Sequence, residues 1–392
     1  MKLLFVISNL EIGGTRRSLL NLLSYMSNYD VDLYLLTFSP FGAYENMVPP
    51  NVNIIIGNKF MQSHFASIKT LRDKKKYMLL LYRAIGSVGK KIFGEDRFWD
   101  YILREFASKR IREDFDAIIG FQEGFSNFFT TFTSISPKLI WMHNDYNNIP
   151  MYRTRSEEAY VNVDHIFFVA ETAKESFAKA YPSLKDRMCV IKNIVPQTEI
   201  RKKAKEKIDQ DYYKKGKLNL ISVGRIEKQK AFGRIIEVLD ILGNLSEKIN
   251  WIIIGEGTQR EEIEGIINQR GYQNRVHFVG AKSNPYPYVA NSDMFVLTSQ
   301  YESQPMVIME SLTVGTPVIS TNFTSAFELL ENQKYGIICE NSSEGIATVF
   351  KFLLEHRDVI VEMKEHTSDF IYDNDAIINQ ILKSVENATG KS

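Results

Sequence analysis

The amino-acid sequence predicts an α/β protein built from two doubly wound parallel-sheet domains. Short apolar runs, which suit strands buried on both faces, alternate along the chain with longer segments of helical periodicity. The same alternation starts again at Leu218, and 392 residues are enough for two domains of ordinary size. We therefore predict Rossmann-like domains at residues 1–198 and 199–373, followed by an amphipathic helix at residues 374–392.

The predicted strands are read from the apolar runs. In the first half of the chain they span residues 3–7, 31–37, 52–56, 116–121, 138–142, 165–170 and 190–193. In the second half they span residues 218–223, 251–254, 276–280, 295–297, 317–321 and 336–338. Helical segments separate most of these runs, which is the connection that parallel strands require.

Composition narrows the class of protein. The apolar content of 44% and charged content of 24% are typical of a soluble globular protein, and a net charge of +1 gives no sign of a polyanionic partner. Two cysteines are too few for a disulfide scaffold and favour a cytoplasmic protein. No apolar run reaches the roughly 18 residues of a membrane span, and the first apolar run is interpreted as a strand, not a secretory signal.

The stretch from Phe295 to Ile319 predicts a strand, a loop, a short helix and another strand. Pro305 suits the first helical position, and Gly315 suits the position after the helix end, so the helix is predicted over residues 305–314. The start of a helix carries free N–H groups and a positive dipole, which suit an anion.

Two carboxylates frame the start of this helix. Glu302 lies in the loop before it and Glu310 lies inside it. Carboxylates repel phosphate but accept hydrogen bonds from sugar hydroxyls. A helix start for phosphate beside carboxylates for hydroxyls predicts a nucleotide-sugar site.

Two other loops carry residues suited to phosphate. Gly13 and Gly14 follow the first strand and allow a ligand to approach the backbone closely, although an ordinary turn is the alternative. In the second half, Gly224 ends a strand abruptly and is followed by Arg225 and then Lys230. A guanidinium fork and an ammonium can bind one pyrophosphate together, with plain surface charge as the alternative.

These motifs together resemble those of the family 4 retaining glycosyltransferases, strongly over residues 217–340 and weakly before them. Glu302 and Glu310 match the two glutamates that the family separates by seven residues, and Arg225 and Lys230 match its Gly-Arg…Lys pattern. Ser303 stands where the family usually has glycine. The resemblance implies the GT-B fold, in which two Rossmann-like domains face a cleft.

The resemblance also implies roles for individual residues. Glu302 would contact the donor sugar and Glu310 the ribose, while Arg225 and Lys230 stabilise the leaving pyrophosphate. The donor would also touch Gly13, Gly14, Gly224, Ser303, Gln304, Pro305, Met306 and Val307, and its base would lie near residues 281–288. His143, after a first-domain strand, matches a histidine that touches donor sugar or acceptor; a structural role is the alternative.

Residues 59–112 differ in composition from the rest of the chain. They contain 14 Lys or Arg and 5 Asp or Glu, a net charge of +9, with aromatic residues interleaved. The run from Lys74 to Arg83 resembles an interfacial helix, so we expect either contact with an anionic membrane or a solvated helical pair covering the sheet edge. Nucleic acid is not favoured, because no recognition motif accompanies the charge.

The resemblance thus implies a retaining glycosyltransferase whose first domain binds a glycan or lipid-linked acceptor and whose second binds a UDP- or GDP-sugar. We expect it in the cytoplasm, free or at the inner face of the membrane, in the synthesis of capsule, exopolysaccharide or another surface glycan. No Asp-x-Asp motif lies at a strand end, so no metal or cofactor is expected. The alternatives are a nucleotide-sugar epimerase of the same fold and a non-catalytic partner of a related transferase.

Overall fold

The computed structural model describes residues 1–111, 114–144, 146, 160–208, 212–302, 304–331 and 333–389. The chain divides into two compact units, each built on its own sheet. The first unit comprises residues 1–194 and 374–392, and the second comprises residues 195–373. The division after residue 194 lies four residues before the predicted boundary.

The first unit has seven parallel strands among its described residues, in the order β3-β2-β1-β4-β5-β6-β7. The strands are β1 (Lys2–Asn9), β2 (Asp32–Ser39), β3 (Asn53–Ile56), β4 (Ala117–Gly120), β5 (Lys138–Met142), β6 (His165–Phe168) and β7 (Met188–Val190). The helices are α1 (Gly14–Met26), α2 (Lys59–Phe65), α3 (Ile68–Asp73), α4 (Tyr77–Phe93), α5 (Glu95–Arg110), α6 (Phe125–Thr131) and α7 (Glu171–Ala180).

The second unit has six parallel strands in its described part, in the order β10-β9-β8-β11-β12-β13. The strands are β8 (Leu218–Val223), β9 (Ile249–Ile254), β10 (Val276–Gly280), β11 (Met294–Leu297), β12 (Val318–Thr321) and β13 (Gly336–Cys339). The helices are α8 (Gln197–Lys203), α9 (Arg234–Leu242), α10 (Arg260–Gln269), α11 (Tyr286–Ala290), α12 (Met306–Thr313), α13 (Thr324–Leu329), α14 (Ser343–Glu355) and α15 (Arg357–Ser368).

The last helix, α16 (Asn374–Thr389), belongs to the first unit. Its buried face repeats at helical spacing through Ile377, Ile378, Ile381 and Val385. The helix is also tied by polar contacts, since the Gln380 side chain donates to the Val190 carbonyl at 3.0 Å.

These sheets confirm the predicted fold class of two doubly wound parallel-sheet domains. Most strand predictions agree with the structure within two residues, because strands buried on both faces are continuous apolar runs. The prediction for β7 was wrong: the strand is Met188–Val190, not residues 190–193. Ile191 still donates to the Phe168 carbonyl at 2.8 Å, one residue beyond the end of β7. The apolar run therefore extends past the strand, and its position in the sequence does not show where the strand begins.

Strand order locates the ligand-binding edge of each sheet. The order reverses direction between β1 and β4 in the first sheet and between β8 and β11 in the second. Ligands of doubly wound folds bind beyond the carboxyl ends of the strands at such a reversal. The loops after these four strands are therefore the places to look for functional side chains.

None of the helices that the structure describes is both long enough and apolar enough to cross a lipid bilayer.

Candidate functional site

The loop after β8 is held by close backbone packing. A Cβ on Gly255 would lie 1.9 Å from the Gly224 carbonyl oxygen, and one on Gly257 would lie 2.3 Å from that of Ile226. Gly224 also donates to the Ile254 carbonyl at 3.0 Å. Larger residues at 255 or 257 would displace this loop, so these glycines fix the backbone that carries Arg225. Of these three glycines, only Gly224 is predicted from the sequence to belong to the site.

Lys230 and Glu302, which the sequence assigned to different parts of a ligand, form an ion pair with each other. The side chains are only 18% and 10% exposed. Glu302 Oε1 also accepts from the Ser299 hydroxyl at 2.7 Å, and the Thr298 hydroxyl donates to the Lys230 carbonyl at 2.6 Å. The loops after neighbouring strands β8 and β11 are thus joined by several polar contacts.

This pairing leaves binding capacity on the ammonium group. A lysine ammonium has three N–H donors, and the one carboxylate oxygen that it contacts does not use them all. Arg225 is exposed and forms no ion pair with a residue that the structure describes. Lys230, fixed by its ion pair, and the exposed Arg225 therefore both follow β8.

The helix after β11 begins one residue later than predicted. Pro305 is its N-cap, with an extended ψ of 99°, and α12 runs from Met306 to Thr313 and not over residues 305–314. The Pro305 side chain cannot cap this start, and among the described residues no side chain accepts a hydrogen bond from the backbone N–H of Met306 or Val307. The prediction for Gly315 is confirmed, since its φ of +84° is the left-handed conformation that suits glycine after a helix.

Glu310 and Gln304 lie at opposite ends of this segment and contact tyrosines. The Tyr286 hydroxyl, on α11, donates to Glu310 Oε1 at 3.3 Å, and the Gln304 amide donates to the Tyr372 hydroxyl at 3.3 Å. Tyr286 falls in the segment where the resemblance places the base, but no local pattern distinguishes it from its neighbours in the sequence. Ser303 lies outside the described residues.

In the first unit, Gly13 is the N-cap of α1. A Cβ there would lie 3.2 Å from Nη1 of Arg16, so the glycine makes room for an arginine that folds back over the loop. No atom comes within 4 Å of a Cβ placed on Gly14. The Arg16 guanidinium also points at the Gln122 amide, after β4, and turning that amide over would let its oxygen accept from Arg16 at 3.3 Å.

His143 follows β5 and is buried against aromatic rings. Its ring stacks on Trp141, with 6.0 Å between centroids, and its centroid lies 4.7 Å from that of Phe121. Nε2 has no hydrogen-bond partner among the residues that the structure describes. Burial lowers the pKa of this imidazole to about 3, opposed by a backbone hydrogen bond with Phe121 and aided by nearby Arg16.

Glu123, a residue not predicted from the sequence, holds the backbone at His143. This buried carboxylate accepts hydrogen bonds from the backbone N–H of His143 and, at 2.7 Å, from that of Asn144. Burial raises the pKa of Glu123, and these backbone hydrogen bonds oppose the rise. Since Glu123 lies 20 residues from His143 in sequence, only the adjacency of β4 and β5 could have revealed the contact.

Within the described part of the chain, no three His, Cys, Asp or Glu side chains gather so as to hold a metal ion. The expected independence from metal stays a prediction. The candidate side chains thus form two groups. The second unit carries Arg225, Lys230, Glu302 and Glu310, and the first unit carries Arg16, Glu123 and His143.

Comparison with known proteins bears on the second unit most directly. Residues 204–370 match the family described as glycosyl transferases group 1. An uncharacterized glycosyltransferase of Methanocaldococcus jannaschii is 26% identical over 165 residues, which cover 42% of this chain and 41% of that protein. The Campylobacter jejuni N-acetylgalactosamine-N,N'-diacetylbacillosaminyl-diphospho-undecaprenol 4-alpha-N-acetylgalactosaminyltransferase is also 26% identical, over 54% of this chain and 55% of that protein. The chain spans about half the length of the curated relatives it matches.

The fold as a whole also has counterparts among solved structures. The crystal structure of Anabaena Alr3699/HepE in complex with UDP superposes with a TM-score of 0.68 at 15% identity. The superposition covers 99% of this chain and 100% of that one. The fold is therefore GT-B, the architecture of two doubly wound domains in one chain.

The low pKa of His143 predicts a pH dependence of stability. The folded protein holds the imidazole neutral down to about pH 3, whereas the unfolded chain takes up a proton below 6.5, so stability falls as pH falls between these values. At about pH 5 the loss is on the order of 2 kcal/mol. We expect His143→Phe to lack this component. The thermal midpoint of each protein is measured at about pH 7.5 and at about pH 5. It should fall more in the wild type than in the variant, and an equal fall in both proteins contradicts the assignment.

The Lys230–Glu302 pair predicts energetic coupling. Lys230→Met leaves a nearly buried carboxylate without its cation and should reduce the free energy of unfolding by about 1–3 kcal/mol. Lys230→Met/Glu302→Gln should recover most of that loss. The control Lys334→Met breaks the exposed pair with Glu331 and should change the thermal midpoint little. Additive losses in the double variant would show that the two charges are not coupled.

Proposed function

We propose that the protein is a retaining glycosyltransferase that moves a sugar from a nucleotide-sugar donor to a glycan or lipid-linked acceptor. The observation that carries this proposal is the group of side chains after β8 and β11, where paired Lys230 and Glu302 stand before the uncapped start of α12. This group falls within residues 204–370, which match the glycosyl transferases group 1 family.

The donor pyrophosphate would bind to Arg225, Lys230 and the first N–H groups of α12. These groups carry positive charge or partial positive charge before the ligand arrives, so they stabilise the negative charge that develops as the sugar leaves. The pairing with Glu302 refines this proposal. The carboxylate fixes Lys230 in place, and a ligand would share the ammonium with it.

The sugar and the ribose would bind to the two glutamates. Glu302 would accept a hydrogen bond from a hydroxyl of the donor sugar while it holds Lys230. Glu310, whose position is set by the Tyr286 hydroxyl at 3.3 Å, would accept one from the ribose. UDP- and GDP-sugars are the proposed donors, and UDP is supported by its presence in the similar Alr3699/HepE structure.

Transfer would proceed with retention of configuration. The bond from the anomeric carbon to the phosphate oxygen breaks while the acceptor oxygen bonds to the same face of that carbon. The departing phosphate takes the acceptor's proton, so no carboxylate nucleophile is needed. His143 would donate or accept a hydrogen bond at Nε2 with a sugar or acceptor hydroxyl, and Glu123 would act as its positioning residue.

The proposed setting is the synthesis of a cell-surface glycan such as capsule or exopolysaccharide. The similar C. jejuni transferase is named for a diphospho-undecaprenol acceptor, which supports a lipid-linked acceptor for this chain. We propose that the protein works at the inner face of the membrane. A UDP- or GDP-sugar epimerase and a non-catalytic partner subunit remain the competing proposals.

One experiment separates the three proposals. The purified chain is incubated with radiolabelled UDP- and GDP-sugars, with and without polyprenyl-diphosphate-linked glycans. A transferase releases nucleotide and labels the acceptor only when both substrates are present. Conversion of the sugar without acceptor would indicate an epimerase. Binding of neither donor would favour a non-catalytic partner.

Arg225→Ala should lower kcat by about a hundredfold or more, because its charge matters most as the pyrophosphate leaves. The matched control is Lys228→Ala, which removes an exposed cation from the turn that leads to Lys230. The two variants should have equal circular dichroism spectra. Full turnover by a folded Arg225→Ala protein would remove Arg225 from the phosphate site.

Glu302→Gln and Glu310→Gln should affect different ligands. A hydrogen bond to a carboxylate contributes roughly 1.5–3 kcal/mol, so each loss should weaken binding about ten- to hundredfold. Calorimetric titration should show Glu310→Gln weakening free nucleotide as well as nucleotide sugar. Glu302→Gln should weaken the nucleotide sugar more than the free nucleotide. Equal losses of free nucleotide in both variants would contradict this division.

EDTA should leave the transfer rate largely intact, because the proposed cations are side chains and a helix start. Initial rates are compared before and after chelation, and again after Mg²⁺ is restored. A complete loss that Mg²⁺ reverses would show that the leaving group depends on metal.

A further inference from the structure

Helix α4 presents a stripe of large apolar side chains to solvent. The members are each 50–68% exposed and are Tyr77, Met78, Leu81, Ile85, Val88 and Ile92. Positions 81, 85, 88 and 92 recur at intervals of four, three and four residues, so they lie on one face of the helix. A row of this kind is unusual for a surface that faces water alone, and it indicates a contact surface.

The opposite face anchors the helix to the first unit. Leu79 and Gly86 are buried there, and a Cβ on Gly89 would lie 2.8 Å from the ring of Phe98. The Arg83 guanidinium donates to the carbonyls of Ser63 and Ala66, both at 2.8 Å. Because this face is held by packing and hydrogen bonds, the exposed stripe is the outer face of a fixed helix.

Positive charge lies at both ends of the stripe. The segment from Lys74 to Phe93 contains six Lys or Arg and no Asp or Glu. Lys75 and Lys91 are exposed and form no ion pair with any residue in the described part of the chain. An apolar row bordered by unpaired cations complements a surface that is negatively charged outside and apolar beneath.

We propose that α4 lies in the plane of an anionic lipid surface with this stripe inserted among the acyl chains. The 17-residue helix spans about 25 Å, and amphipathic helices with lysines beside the apolar face bind membranes in this way. The charge pattern disfavours a second copy of the chain as the partner. Parallel or antiparallel pairing of two α4 helices would bring the lysine-rich ends against each other.

This proposal rests on the surface of the first unit and not on the transferase activity. It makes the sequence-based expectation for residues 59–112 specific, because it selects one face of one helix. It also excludes Arg83 and Lys90 from the lipid contact, since Arg83 binds backbone carbonyls and Lys90 pairs with Glu95 at 3.2 Å.

The test is flotation of the full chain with vesicles of phosphatidylglycerol and phosphatidylcholine in equal parts, without any sugar substrate. The wild type should float, and Ile85→Gln/Val88→Gln should lower the bound fraction at least tenfold. The matched control Phe352→Gln/Val361→Gln alters two exposed apolar residues on α14 and α15 and should float like the wild type. Equal loss in the two pairs, or no flotation of the wild type, would overturn the proposal.

Charge is tested separately. Lys75→Gln/Lys91→Gln should weaken vesicle binding by about fivefold for each charge, because each lysine near an anionic surface contributes about that factor. The control Lys248→Gln/Lys351→Gln removes two exposed lysines from the second unit and should have no effect. Equal binding of the wild type to pure phosphatidylcholine vesicles would contradict a role for anionic lipid.

A tryptophan added to α4 reports whether the apolar stripe enters the lipid. The three native tryptophans are buried, so the emission of an added exposed one can be distinguished by its shift. Leu81→Trp should shift to shorter wavelength on mixed vesicles, and the control Phe352→Trp should not. Sedimentation of the lipid-free wild type and Ile85→Gln/Val88→Gln completes the test. A wild-type dimer that the variant abolishes would make the stripe a self-association surface and overturn the proposal.

Discussion

The order of strands in each parallel sheet is the constraint on which the candidate site depends. All carboxyl ends of a parallel sheet lie at one edge, and neighbouring strands place their following loops side by side. Lys230 follows β8 and Glu302 follows the adjacent β11, so they meet although 72 residues separate them. Glu123 and His143 meet in the same way after the adjacent strands β4 and β5.

The Lys230–Glu302 contact and the surroundings of His143 differ in charge. Around Lys230 and Glu302, opposite charges compensate each other, and the Ser299 hydroxyl donates to the same Glu302 oxygen, so both side chains are held in place. Around His143, burial keeps the imidazole neutral, and Nε2 has no hydrogen-bond partner among the described residues, so the ring suits hydrogen bonding to neutral hydroxyls. The charged pair suits the pyrophosphate of the proposed donor, and the neutral imidazole suits a hydroxyl-bearing ligand.

The first unit combines a conventional sheet with an unconventional surface. Residues 59–112 carry a net charge of +9, and α4 adds an exposed apolar face to that charge. Neither feature contributes to the sheet core, where buried side chains of α5 such as Trp99 and Phe106 cover the strands. One face of α4 therefore packs on the first unit and the other faces solvent, so the proposed lipid-binding face is separate from the residues proposed for transfer.

The sequence by itself determined the fold class, the positions of nearly all strands and the helix that follows Glu302, because buried strands and helix ends leave local signals. It also placed Arg225, Lys230, Glu302 and His143 after strands, and Glu310 inside the helix that follows Glu302. Only the tertiary structure decided that Lys230 pairs with Glu302, that Glu123 supports His143 and that Arg16 folds over Gly13 towards Gln122. The reason is physical: periodicity reports which face of an element is buried, whereas a side chain's partner depends on which strands are neighbours, and that order is set by contacts distant in sequence.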